Sequence, residues 1–148
     1  YDFTFGVNAR GTFMMCREAA RTIEDGGRIV NISTGSTVDN TAGMALYVGS
    51  KMAIEGFTKV LARELAPRGI TVNVVSPGMV YFEGGVWHQV EQGMPDFFKK
   101  QIARNPTGRC ATPQEIADAA VFLASPKSSY TTGVNLLVDG AISNRVNF

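Results

Sequence analysis

At 148 residues, 45% hydrophobic and 18% charged, the chain is long enough for one domain with a real core. A net charge of +1, with no stretch that gathers Lys or Arg on one face, gives nucleic-acid or anionic-membrane binding no electrostatic support. Isolated Cys16 and Cys110, a single His88, and the lack of a spanning apolar run or signal-like leader argue against a metal site and a disulfide framework and set the expectation of a reducing, cytoplasmic setting.

The first residues, YDFTFGVN, carry no initiator Met and already read as a helix entry, so the chain is expected to be the later part of a longer protein. Residues 4–24 are a predicted helix with Val7, Phe13, Met14, Ala20 and Ile23 on a broad apolar face, stopped by Gly26-Gly27. Asn8 and Gly11 interrupt that face; on composition alone, Asn8 caps or solvates the helix start. Residues 28–33 form a buried strand around Ile29, Val30 and Ile32, and residues 34–43 a loop. Ser33, Thr34, Ser36 and Thr37 thus gather four hydroxyls at the strand's carboxyl end. Ligands bind at that edge in open α/β sheets, although the same residue types also serve any turn. Asn31-Ile32-Ser33 spells a glycosylation sequon, discounted because it lies in a strand of a chain with no secretory signal.

Residues 44–66 are a second predicted helix, with Ala45, Met52, Ala53, Phe57, Val60, Leu61 and Leu65 as apolar positions and Pro67-Arg68-Gly69 closing it. Its small residues (Gly49, Ser50, Ala53, Gly56) admit a close neighbour, either another subunit or this domain's own sheet. Residues 70–76 make a near-continuous apolar strand, typical of a parallel sheet covered on both faces, and end at Pro77-Gly78. Strand, helix and strand form a right-handed βαβ unit. Residues 79–111 are the least regular part. Phe82, Val86, Trp87, Met94, Phe97 and Phe98 load the segment with apolar bulk, and Gly84, Gly85 and Gly93 divide it into short helical pieces. Beside a site edge such a segment is a lid or binding wall, or else a satellite cluster on the domain. Thr112-Pro113-Gln114-Glu115 is a capping box that opens a helix to about Leu123, and residues 134–138 are a last strand; the tail NRVNF is unassigned.

No HExxH, GxSxG, Walker loop or GxGxxG occurs, His88 has no acid at triad spacing, and no carboxylates cluster. Tyr47 and Lys51 stand out. Four positions apart on a helix, they share a face that the hydroxyl loop can meet. An ammonium beside a phenol favours the phenolate, which makes the phenol a proton donor and acceptor. The pair alone is a weak signal; its place between a hydroxyl loop and a strand ending in Pro-Gly makes it specific.

From Asn8 to Gly140 the chain resembles the short-chain dehydrogenase/reductases, through VNARGTF, RIVNIS, YVGSK, ELAPRGITVNVVSPG, the TP-EIA-AVFLAS helix and TG-NLLVDGA in order. The resemblance implies an α/β, doubly wound Rossmann-type parallel sheet, of which residues 1–148 hold only the later strands and helices as the carboxyl-terminal part of one domain. It implies an NAD- or NADP-dependent oxidoreductase that interconverts an alcohol and a carbonyl of a small molecule. Tyr47 is then the acid/base, Lys51 assists its ionisation and bonds the nicotinamide ribose, and Asn8 holds a water in the proton relay. Pro77, Gly78 and Val80 run along the nicotinamide. The hydroxyl that usually lies thirteen positions before the tyrosine is Thr34 here rather than serine, with Ser33 and Ser36 as alternatives. Phe82 stands where the family often has a carboxamide-binding threonine. The family's Gly-rich phosphate turn has no counterpart in the sequence, so the polypeptide alone is expected to expose a sheet edge, bind cofactor poorly and be inactive. Homodimers or homotetramers are the implied assembly, and the aromatic segment suggests a substrate of some apolar bulk. A different class, a non-catalytic family member or fragment with an assembly or regulatory role, draws on Thr34 and the missing turn.

Overall fold

The computed structural model describes residues 1–39 and 42–144. Three strands, β1 (Arg28–Ile32), β2 (Thr71–Pro77) and β3 (Asn135–Val138), lie in the order β1-β2-β3, all parallel. Arg28 stands opposite Thr71 and Ile32 opposite Val75; Val74 stands opposite Asn135 and Pro77 opposite Val138. Every residue from Thr71 to Ser76 is buried, so both faces of β2 are covered. Helix α4 (Ala45–Leu65) connects β1 to β2, and α7 (Pro113–Ala124) packs against all three strands. Cys16, Ile29, Ala62, Leu65, Ile70 and Val72 form a core cluster that joins α2 (Thr12–Thr22) to the sheet and α4. This is the expected α/β, doubly wound Rossmann-type arrangement, represented by its later strands. No helix among the described residues is long and apolar enough to cross a membrane.

The strand and long-helix boundaries agree with the sequence reading to within about one residue. The first helix does not. Residues 4–24 divide into α1 (Asp2–Phe5), a π-helical turn (Gly6–Gly11) and α2. A π turn inserts one residue per turn, so the faces rotate and a 3.6-residue pattern cannot be carried through it. Val7, Phe13 and Met14, assigned to a packing face, are exposed, whereas Ala9 and Cys16 are the buried residues.

Helix α4 also differs inside. Its buried stripe is Ser50, Ile54, Thr58, Ala62 and Leu65, while the expected core positions Ala45, Met52 and Val60 are exposed. Both hydroxyls in the stripe are satisfied: Ser50 donates to the Tyr47 carbonyl at 2.7 Å, and Thr58 accepts from Asn31 Nδ2 at 2.9 Å. Asn31 also accepts from the Cys16 thiol, so the sequon asparagine is a buried bonding centre. In β1, Ile32 is 46% exposed rather than buried, because among the described residues β1 pairs on one side only. The exposed sheet edge expected from the sequence is therefore present.

The loop at 34–43 contains a short helix, α3 (Ser36–Asp39); Asn40 and Thr41 lie outside the described residues, as does the tail beyond Asn144. The 79–111 segment folds into α5 (Val86–Gly93) and α6 (Pro95–Arg104), each started by a residue that suits a helix N-terminus. The capping box is formed as read: Thr112 Oγ1 accepts from the Glu115 N–H, and the Glu115 carboxylate accepts from the Thr112 N–H.

Candidate active site

The carboxyl end of β1 extends beyond the strand proper. The Ser33 N–H donates to the Val75 carbonyl at 2.9 Å and the Gly35 N–H to the Pro77 carbonyl at 2.7 Å, so β2 holds the chain as far as Gly35. A Cβ on Gly35 would lie 3.2 Å from the Pro77 oxygen, a close approach that a side chain would crowd. Thr34, 9% exposed, is locked between these two bonds. Its carbonyl accepts from the Thr37 hydroxyl at 2.9 Å, and its own Oγ1 accepts from the Ser36 N–H at 3.3 Å.

A cavity of about 500 Å³ opens beyond this edge. Thr34, Ser36 and Tyr47 border it on the β1–α4 side, together with Pro77 and Gly78. Val86, Trp87 and Val90 from α5 and Phe97 and Gln101 from α6 border it on the other, and Asp39, Met44, Met79 and Ile142 also line it. Residues of the 79–111 segment therefore form one wall of this cavity.

The three candidate hydroxyls separate here. Ser33 Oγ donates to Glu55 Oε1 at 2.7 Å and reaches the Lys51 carbonyl at 3.3 Å, so it is committed to α4. Thr34 and Ser36 border the cavity. Lys51 Nζ donates to the Ile32 carbonyl at 3.2 Å, and burial lowers the lysine's pKa. Asn8 does not cap its helix. Its Nδ2 donates at 3.0 Å to Ser50 Oγ, which in turn donates to the carbonyl of Tyr47. Asn8 thus sits in the π turn and is tied through Ser50 to the backbone that carries Tyr47.

Two residues of the stretch after Gly78 lie off the cavity lining. Val80 does not border the cavity; it forms a parallel bridge with Ala111. Phe82 turns its ring onto Gly85 and is 52% exposed. The Gly78 position is required by the chain itself, since a Cβ there would lie 2.7 Å from the Asp139 Cα. Two features had little sequence signal. Ser50 looked like a mere small residue, and Asp39 and Arg104, 65 positions apart, form an ion pair at 2.9 Å from α3 to α6.

The family model described as enoyl-(acyl carrier protein) reductase matches residues 1–143. The chain belongs to the short-chain dehydrogenase/reductase family. It is 38% identical over 151 aligned residues to a hydroxynaphthalene reductase-like protein of Metarhizium brunneum, covering 95% of this chain and 56% of that protein. It is 40% identical to a D-threitol dehydrogenase of Mycolicibacterium smegmatis over 95% of this chain and 53% of the relative. Among solved structures, the NADPH complex of a blue fluorescent protein from a metagenomic library superposes with a TM-score of 0.87 at 35% identity, over 96% of this chain and 56% of that one. The chain thus spans a little over half the length of these short-chain dehydrogenase/reductases, a family that uses NAD(P).

Proposed function

We propose that this protein is the carboxyl-terminal, chemistry-bearing part of an NAD(P)-dependent oxidoreductase that interconverts an alcohol and a carbonyl. The observation that carries the reading is the meeting of Tyr47 and Thr34, from a helix and a strand end, on one cavity bounded by Pro77-Gly78. In the reducing direction the Tyr47 hydroxyl gives its proton to the carbonyl oxygen of the substrate, and in oxidation its phenolate takes the proton back. Thr34 Oγ1 donates a hydrogen bond to the same oxygen, stabilising the charge that develops there. Lys51, one helical turn beyond Tyr47 on α4 with its Nζ on the Ile32 carbonyl, is the candidate to assist that transfer. Asn8 and Ser50 hold the first turns of α4 in place, and Asn8 is the candidate for the relay water.

The residues present suit the nicotinamide end of the cofactor. Pro77 and Gly78 border the cavity beside Tyr47, and Lys51 uses one of its three N–H groups on Ile32, leaving donors for a ribose. The sequence holds no Gly-rich turn for the pyrophosphate, so that end needs residues beyond these 148. NAD(P), when bound, supplies or accepts the hydride. By this reading the 148-residue chain alone binds NADPH weakly and turns nothing over; a saturating fluorescence titration at micromolar NADPH would contradict it. Phe13 and Met14 on α2 and Met52 and Val60 on α4 are exposed apolar side chains that a homodimer or homotetramer would cover.

The decisive experiment replaces Tyr47 with Phe in the complete protein and follows NADPH consumption across a panel of small ketones. The expected outcome is a loss of about 10²–10⁴-fold in kcat. Unchanged turnover would leave Tyr47 without a role.

A further inference from the structure

We infer that the cavity admits an uncharged, ring-bearing ketone or its alcohol that carries a second oxygen within reach of Gln101, and rejects anionic and acyclic polyhydroxylated substrates. This rests on the reading of Tyr47 and Thr34 as the reacting edge. The case starts with charge. Among the described residues, no Lys, Arg or His borders the cavity, and its one ionisable wall group besides Tyr47 is the Asp39 carboxylate. The adjacent cation, Arg104, is outside the lining and pairs with Asp39 at 2.9 Å while donating to Gln101 Oε1 at 2.8 Å. A carboxylate or phosphate entering here would shed water against a wall that holds no cation of its own.

Shape narrows the class further. Trp87 and Phe97 present aromatic surface to the cavity, with the thioether of Met44 also on its wall. The Trp87 ring is braced by Phe98 at 6.3 Å between centroids, Phe98 by Tyr81 at 6.1 Å, and the Tyr81 hydroxyl donates to Glu91. A wall fixed in this way stacks on a flat ring with little loss of side-chain freedom. An acyclic polyol would instead bring hydroxyls against a surface with few partners for them. Among the described residues the polar side chains on the wall are Thr34, Ser36 and Tyr47 at the reacting edge, the Asp39 carboxylate paired with Arg104, and Gln101 on α6. The Arg104 bond orients the Gln101 amide by its oxygen, and the two Nε2 hydrogens are donors that suit an oxygen acceptor on the ring.

Trp87 is the only tryptophan among these 148 residues, so in this chain its fluorescence reports directly on this wall, and in the complete protein the difference between the parent and Trp87→Phe isolates it. The protein would be titrated with β-tetralone, with its ring-hydroxylated and ring-carboxylated analogues, and with erythrulose. Saturable quenching by β-tetralone is expected, tighter by a few fold for the hydroxylated analogue, and weaker by at least about tenfold for the carboxylated one, with no saturable response to erythrulose. Gln101→Leu should abolish the advantage of the hydroxyl while leaving β-tetralone binding in place. Equal or tighter binding of the carboxylate or of erythrulose, or no saturable response to β-tetralone, overturns the inference. Turnover separates it from the reading beneath: selective binding without turnover in the complete protein removes the acid/base role and leaves the selectivity standing. Turnover that prefers the carboxylated ketone does the reverse.

Discussion

The two walls of the cavity are built by different means. The wall of Thr34 and Tyr47 is backbone-made: β2 hydrogen-bonds the chain through Gly35, and a 21-residue helix carries the tyrosine. The wall of Trp87 and Phe97 is held by side chains, through ring contacts, the Tyr81–Glu91 bond and the Asp39–Arg104 ion pair. Backbone ladders fix position to tenths of an ångström and tolerate little change, whereas side-chain contacts at the surface are individually worth about 1 kcal/mol or less. The first construction suits a proton transfer that depends on distance. The second suits a wall whose braced side chains set the shape a ligand must match.

Substitutions should therefore fall into two kinetic classes, and the largest effects should come from the backbone-made wall. In the complete protein, Tyr47→Phe is expected to cost about 10²–10⁴-fold in kcat with KM little changed. Thr34→Val keeps the shape and removes the hydrogen bond, for an expected loss of about 10²–10³-fold, while Thr34→Ser keeps most of the rate. Steady-state kinetics on the three variants would check this. A loss confined to KM would erase the distinction between the walls.

The next effect concerns what supports the first wall. Asn73, fully buried in β2, donates from Nδ2 to the Thr131 carbonyl at 2.8 Å and accepts from the Val134 N–H at 3.2 Å. Asn73→Leu removes the side-chain partner of both main-chain groups, which are part-buried, so the loss should fall towards the low end of the roughly 1–3 kcal/mol that a stranded buried group costs. A urea midpoint that stays within error of the parent would show that β3 is held without Asn73. By contrast, Arg104→Ala removes an exposed tie across the second wall. A KM rise of a few fold at constant kcat is expected, within the roughly 1 kcal/mol that surface ion pairs contribute. A comparable fall in kcat would mean that the α6 wall also positions the chemistry.

The same contrast explains what could be read in advance. Strands buried on both faces and a helix with a capping box announce themselves through local pattern, and the Tyr47–Lys51 spacing needs only helical geometry. The contact of Asn8 with Ser50 was not legible, because it depends on a π turn and no periodicity reports a π turn. Thr58 and Ser50 were invisible as core residues, since a hydroxyl counts as polar until its partner is known. Ser33 could be told from Thr34 only once Glu55 was found beside it. The Asp39–Arg104 tie joins positions too distant in sequence for any local rule, and the second wall depends on contacts of that kind.

The smallest expected effect lies where the second wall leaves the site. Arg109, near the end of the 79–111 segment, grips Glu115 of α7 with two bonds of 2.6 and 2.8 Å. The guanidinium, helped by the Thr112 N–H, holds the Glu115 carboxyl at a pKa of about 2 instead of 4.5. A carboxyl whose pKa falls on folding adds stability above its unfolded value, and that addition is lost as pH drops from about 4.5 towards about 2. Glu115→Gln keeps a capping side chain at this position but gives up the charge. The variant should accordingly be slightly less stable than the parent at neutral pH, and the two urea midpoints should converge across that acid window. Both side chains are partly exposed, so water screens the pair and the gap should be small. Midpoints that run parallel from neutral pH to about 2 would show that the capping geometry, not the ion pair, ties the second wall to the sheet.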